Sequence, residues 1–113
     1  MSRRSATGAL VLVMLAGTMP VSAGYDANMT GVIESVLTYS DASYVLFRLQ
    51  NQPTSHPSCN PYYFALSDSL PGDRLSRLTA RLLTAYALGE TITIGYDSLG
   101  NCAHTFIRGH RVG

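Results

Sequence analysis

The chain has 113 residues, 46% of them hydrophobic, and carries a formal charge of +1 from eight arginines, no lysine and seven acidic residues. That balance excludes a nucleic-acid binder, which needs a clustered surplus of cationic side chains to displace phosphate counterions. No apolar run approaches the roughly 20 residues that a membrane-spanning helix requires.

The N-terminus has the plan of a secretory signal peptide. Arg3 and Arg4 form a positive n-region, Ala9 to Ala16 a short apolar h-region, and Val21-Ser22-Ala23 supplies small residues for cleavage. The expected organisation is a signal peptide over 1–23 and one domain over 24–113, exported to the periplasm or beyond. Removing the leader leaves six arginines against seven acidic residues, a formal charge of −1.

Thr30 to Tyr39 is rich in β-branched and aromatic residues and reads as a strand, with Val32 and Val36 on one face and Ile33, Leu37 and Tyr39 on the other. Ser40-Asp41-Ala42-Ser43 is a turn cluster. Tyr44 to Leu49 resumes the alternation, setting Val45, Phe47 and Leu49 opposite Tyr44, Leu46 and Arg48. From Gln50 to Pro61 three prolines and many polar residues mark a loop, and Tyr62 to Leu66 is a third strand on which Tyr62, Phe64 and Leu66 share a face.

A helix follows. Leu75, Leu78, Thr79, Leu82 and Tyr86 lie on one side of a 3.6-residue period; Asp73 is placed to cap its start and Gly89 to end it. Arg74, Arg77 and Arg81 run beside this apolar face, and spacing alone favours a solvated helix flank over an anion-binding stripe. Thr91 to Tyr96 is a clean strand, 97–101 a turn, and Ala103 to Val112 a last strand.

The order β-β-β-α-β-β predicts a mainly β fold with one helix, an OB-fold-like five-stranded barrel. An open antiparallel sheet with a helix across it has the same order, so closure stays open here. Cys59 and Cys102 are the only two cysteines, and in an exported chain they read as one disulfide.

The stretch Leu82 to Ile94, followed by a turn and Cys102, resembles a pattern in short exported bacterial proteins of unassigned role. It is also loosely similar to the helix and following strand of B subunits from subtilase-cytotoxin-type toxins. The resemblance implies an OB-fold, assembly as a pentamer and binding of sialylated glycans.

Residue chemistry points away from catalysis. No nucleophile-elbow motif singles out a serine, and Asp41, Asp68, Asp73 and Asp97 are explained by turn formation near each of them. His56, Cys59, Cys102 and His104 are of zinc-ligand type, but a disulfide uses the same sulfurs; no metal or other cofactor is expected. Seven tyrosines without a tryptophan suit sugar stacking and protein interfaces, and OB-folds bind ligands over strands two and three. Tyr44, Arg48, Tyr62 and Tyr63 are therefore the candidate ligand-binding residues. The expected function is a non-enzymatic binding module for a glycan; the alternative is a structural or inhibitory protein that covers a protein partner.

Overall fold

The computed structural model describes residues 24–113, and the expected leader lies outside the described residues. Six strands and one helix follow in the order β1 (Ala27–Tyr39), β2 (Ala42–Leu49), β3 (Asn60–Leu66), α1 (Gly72–Leu88), β4 (Thr91–Tyr96), β5 (Cys102–Ala103) and β6 (Phe106–Val112). The sheet order is β3-β2-β1-β4-β6-β5, and β3 also pairs with β6 in parallel. That pairing joins β3, at one end of the sheet, to β6 near the other, so the barrel is closed and among the described residues no long strand edge is left unpaired.

β1 reaches both halves of the barrel because it is long. Its N-terminal part pairs with β4, from Ala27 opposite Tyr96 to Val32 opposite Thr91, and its C-terminal part pairs with β2. Between them the register slips: Ile33 faces Leu49 and Ser35 faces Arg48, leaving Glu34 as an extra residue. Such a bulge exchanges the two faces of a strand. Ile33 and Val36 therefore both join the core, whereas Leu37 packs outside, which corrects the simple alternation expected for this strand.

The barrel interior holds Phe47, Leu49, Phe64, Leu66, Ile94 and Ile107, all fully buried. Phe47 and Phe64 stack at 5.5 Å between ring centroids. Tyr62 does not share their inward face; it is 55% exposed and its ring lies over Arg48 on the outside, because β3 is irregular between Asn60 and Phe64.

The helix closes one end of the barrel. Leu82 and Ala85 are buried and Leu75 and Leu78 pack against the core, but Tyr86 is 46% exposed, at the edge of the apolar stripe rather than within it. Pro71 occupies the N-cap position without a side-chain cap bond, so Asp73 contributes only its charge in the first turn, favourable at the positive end of the helix dipole. Gly89 terminates the helix as expected: it adopts φ 64°, its N–H donates to the Tyr86 carbonyl, and the Glu90 N–H donates to Ala85.

The expected single strand from Ala103 is instead a tight hairpin. β5 and β6 are joined by His104 and Thr105, which both have positive φ (51° and 71°). Two-residue turns of this hand are normally built from Asn and Gly, so this sequence carried no turn signal. Cys59 and Cys102 are disulfide-bonded, with Cα atoms 5.5 Å apart, tying the end of the β2–β3 loop to β5. A disulfide is compatible with the oxidising compartment that export implies. Among the described residues no helix is long and apolar enough to cross a membrane.

Candidate functional site

On the outer face of the barrel, Leu46 of β2, Ala65 of β3 and Ala103 of β5 form a small buried floor. Tyr44, Tyr63 and Phe106 pack against it. Side chains on one face of a strand recur every second residue, which explains why Tyr44, Leu46 and Arg48 emerge together from β2. Tyr63 and Ala65 of β3 emerge on the same side.

Two aromatic groups stand over this floor. At one end Tyr44 stacks on His104 at 4.0 Å and meets Tyr39 at 5.4 Å. His104 Nε2 lies 3.2 Å from a carboxylate oxygen of Asp68, so the imidazole is held from both sides. At the other end Tyr63 contacts the edges of Tyr62 (4.8 Å) and Phe106 (5.4 Å). Arg48 fastens this second group. Its guanidinium carbon sits 4.2 Å above the Tyr62 ring, one Nη donates to the Tyr62 carbonyl at 2.7 Å, and Nε donates to Glu34 at 3.2 Å. The bulge in β1 is what aims Glu34 at Arg48.

All four candidate residues, Tyr44, Arg48, Tyr62 and Tyr63, are thus on one face. Comparison with family models, curated proteins and solved structures finds no match for this chain. The site therefore has to be read from its own chemistry. Arg48 has spent much of its hydrogen-bonding capacity on Glu34 and the Tyr62 carbonyl, which makes it a clamp that orients an aromatic platform. Sequence reasoning did not include Tyr39, His104 and Phe106 in the site. His104 lies in, and Phe106 directly follows, a turn without a sequence signature, and pattern alone could not bring them to β2.

The zinc-type quartet does not converge. The two sulfurs are bonded to each other, and His56 uses both ring nitrogens: Nδ1 accepts from the Ser58 and Cys59 N–H groups at 3.1 and 3.0 Å, which leaves Nε2 to donate to the Asp97 carbonyl at 2.9 Å. His56 is a staple between the β2–β3 loop and the end of β4. Other loop bonds are equally local in purpose. Buried Gln52 accepts from Leu49 N–H and donates to the Pro61 carbonyl. The Asp26 carboxylate accepts from Ser98 N–H and Oγ, bonds that hold its pKa below the usual range.

Proposed function

We propose that this chain is an exported, non-enzymatic binding module that recognises a glycan on the outer face of β2 and β3. The observation that carries this reading is the joining of Tyr44, Tyr62 and Tyr63 with Phe106 and His104 above one apolar floor. Aromatic rings with polar edges present flat apolar surface to the C–H faces of a sugar and hydroxyls to its rim. A closed β-barrel with a loop-flanked β2–β3 face is a common platform for oligosaccharides. The resemblance to toxin B subunits adds the proposal that copies assemble as a ring, with five as the number to look for.

A glycan array followed by titration calorimetry tests the reading, with light scattering for assembly. Tyr62→Ala removes an exposed ring, so the fold is expected to survive while affinity for any sugar found falls about tenfold or more, the equivalent of one lost stacking contact. A protein that binds no sugar at millimolar concentration overturns the glycan reading. Stoichiometric capture of one protein from the native cell envelope, abolished by Tyr62→Ala, would replace it with the partner-covering alternative.

A further inference from the structure

Beside the helix the barrel holds a second feature that the aromatic face does not use. Between α1 and β6 runs a groove of about 440 Å³ with Leu70, Leu78 and Val112 as its apolar lining and Arg74, Arg77, Arg81 and His110 as its polar lining. It adjoins a smaller cavity of about 270 Å³ that shares Leu70 and His110 and is lined further by Ser67, Asn101 and Arg108. Four of the six arginines in residues 24–113 therefore surround one continuous depression.

Their charges are not equally available. Arg81 makes a bidentate pair with Glu90, both bonds 2.9 Å, and these hydrogen bonds lower the Glu90 pKa and raise that of Arg81. Among the described residues Arg108 donates to neutral acceptors, the Asn101 side chain and the Cys102 carbonyl, at 3.1 and 3.2 Å. Arg74 and Arg77 are exposed, and among the described residues neither has an acidic partner. Three uncompensated guanidinium groups thus face the depression, in a domain whose overall charge is slightly negative.

The strand geometry adds a fourth group. β4 and β6 pair through Tyr96–Gly109 and Gly95–Arg111, leaving His110 as the extra residue of a bulge. Bulges re-aim side chains, and this one puts His110 at the junction of the two cavities. Its ring meets Asn101 at 2.9 Å and stacks on Tyr25 at 5.7 Å.

We propose that this depression is a second binding site, for a small polyanion bearing clustered sulfate or phosphate esters. Guanidinium forks match the oxygens of such groups, and residues at spacings of three and four along a helix lie about 5–6 Å apart, the separation of neighbouring ester groups on one sugar or polyol ring. Acidic residues bracket the stripe, Asp73 before Arg74 and Glu90 beyond Arg81. A long polyanion would run onto those charges, whereas a compact one would not. Burial, and next the charge of Arg108, lower the His110 pKa, with Asp97 opposing; Arg74, Arg77 and Arg81 face it from the helix. A bound anion reverses that balance and raises it.

Sucrose octasulfate and inositol hexakisphosphate serve as the two probes, titrated into the mature chain by calorimetry and by NMR of the histidine rings. We expect one-to-one binding of at least one probe, weakened by salt, with an upward shift of the His110 titration midpoint. Preference for the first probe assigns sulfate esters and preference for the second assigns phosphate esters. The double variant Arg74→Gln/Arg77→Gln, at two exposed positions, should bind at least about tenfold more weakly. Tyr62→Ala should bind as the wild type does, so failure of the glycan reading leaves this result intact. Absence of binding to both probes at low salt, or unchanged binding by the double variant, overturns the proposal.

Discussion

A Cβ at position 31 would overlap the Asn51 carboxamide and come within 3.2 Å of the Leu49 side chain. Asn51 is held there because its Nδ2 donates to the Thr30 carbonyl at 2.9 Å, which fastens the start of the β2–β3 loop onto β1. Gly31 is therefore a packing requirement imposed by one neighbour. Gly31→Ala should destabilise by about 1–3 kcal/mol, the usual range for added volume in a packed site. Asn51→Ala removes the obstruction at the expense of about 1 kcal/mol of hydrogen bonding, and in that background most of the Gly31→Ala penalty should vanish. Urea denaturation of the four-member cycle measures the coupling. Equal penalties in both backgrounds would show that Asn51 is not the cause.

Among the elements, the β5–β6 turn is the one whose residues fit its backbone worst. Thr105 is β-branched, exposed, and held at φ 71°, where such side chains are rarely found. Residues kept in this region carry about 1–3 kcal/mol of strain, and the surroundings must over-determine them. Here the Thr105 carbonyl accepts from Asn60 N–H at 2.8 Å, and the neighbouring His104 is gripped by Tyr44 and Asp68. Thr105→Gly should relieve the strain, less the extra chain entropy of glycine, for a net gain of about 1 kcal/mol. In a domain of this size that gain raises Tm by about 4–8 °C. An unchanged or lower Tm in a calorimetric scan would show that the turn carries no strain.

This turn also shows where sequence reading stops. Strands β2 and β4, the helix and its Gly89 stop, and the disulfide were legible because each has a local signature: period two, period 3.6, a left-handed glycine, and a lone cysteine pair. The OB-like fold class followed from element order, but closure of the barrel did not, because an open sheet has the same order and only the β3–β6 pairing decides it. Inversions of face at Glu34 and His110 were not legible, since a bulge is set by how two strands meet and leaves no mark on either alone. Grouping Tyr44, Arg48, Tyr62 and Tyr63 required only the fold's usual ligand face, but His104 entered the group through a turn that propensity argues against. The arginines of α1 were visible as a stripe, while the groove beside them depends on where β6 lies.

At the scale of the whole molecule, closure of the barrel rests on β3 meeting β6, the only parallel pairing among the described residues and one with an irregular register near Asn60. The disulfide sits beside that join. Cys59 immediately precedes β3 and Cys102 opens the hairpin that leads into β6, so the covalent bond holds the two strands' starts together across a sequence separation of 43. In the chain-entropy model a loop of that length is worth about 4 kcal/mol, a large share of the stability of so small a domain. Cys59→Ser/Cys102→Ser should therefore lose about 2–5 kcal/mol in urea unfolding. The loss should also be uneven. Strands β1, β2 and β4 keep their antiparallel partners, whereas β5 is only two residues long and depends on its tether. Amide exchange in the variant should accelerate first at Cys102→Ser, Ala103 and the N-terminal half of β6, and the His104–Tyr44 stack should loosen with them. A uniform acceleration across all strands would mean that the bridge stabilises only by restricting the unfolded chain; a local one would mean that it also holds one end of the aromatic face in place.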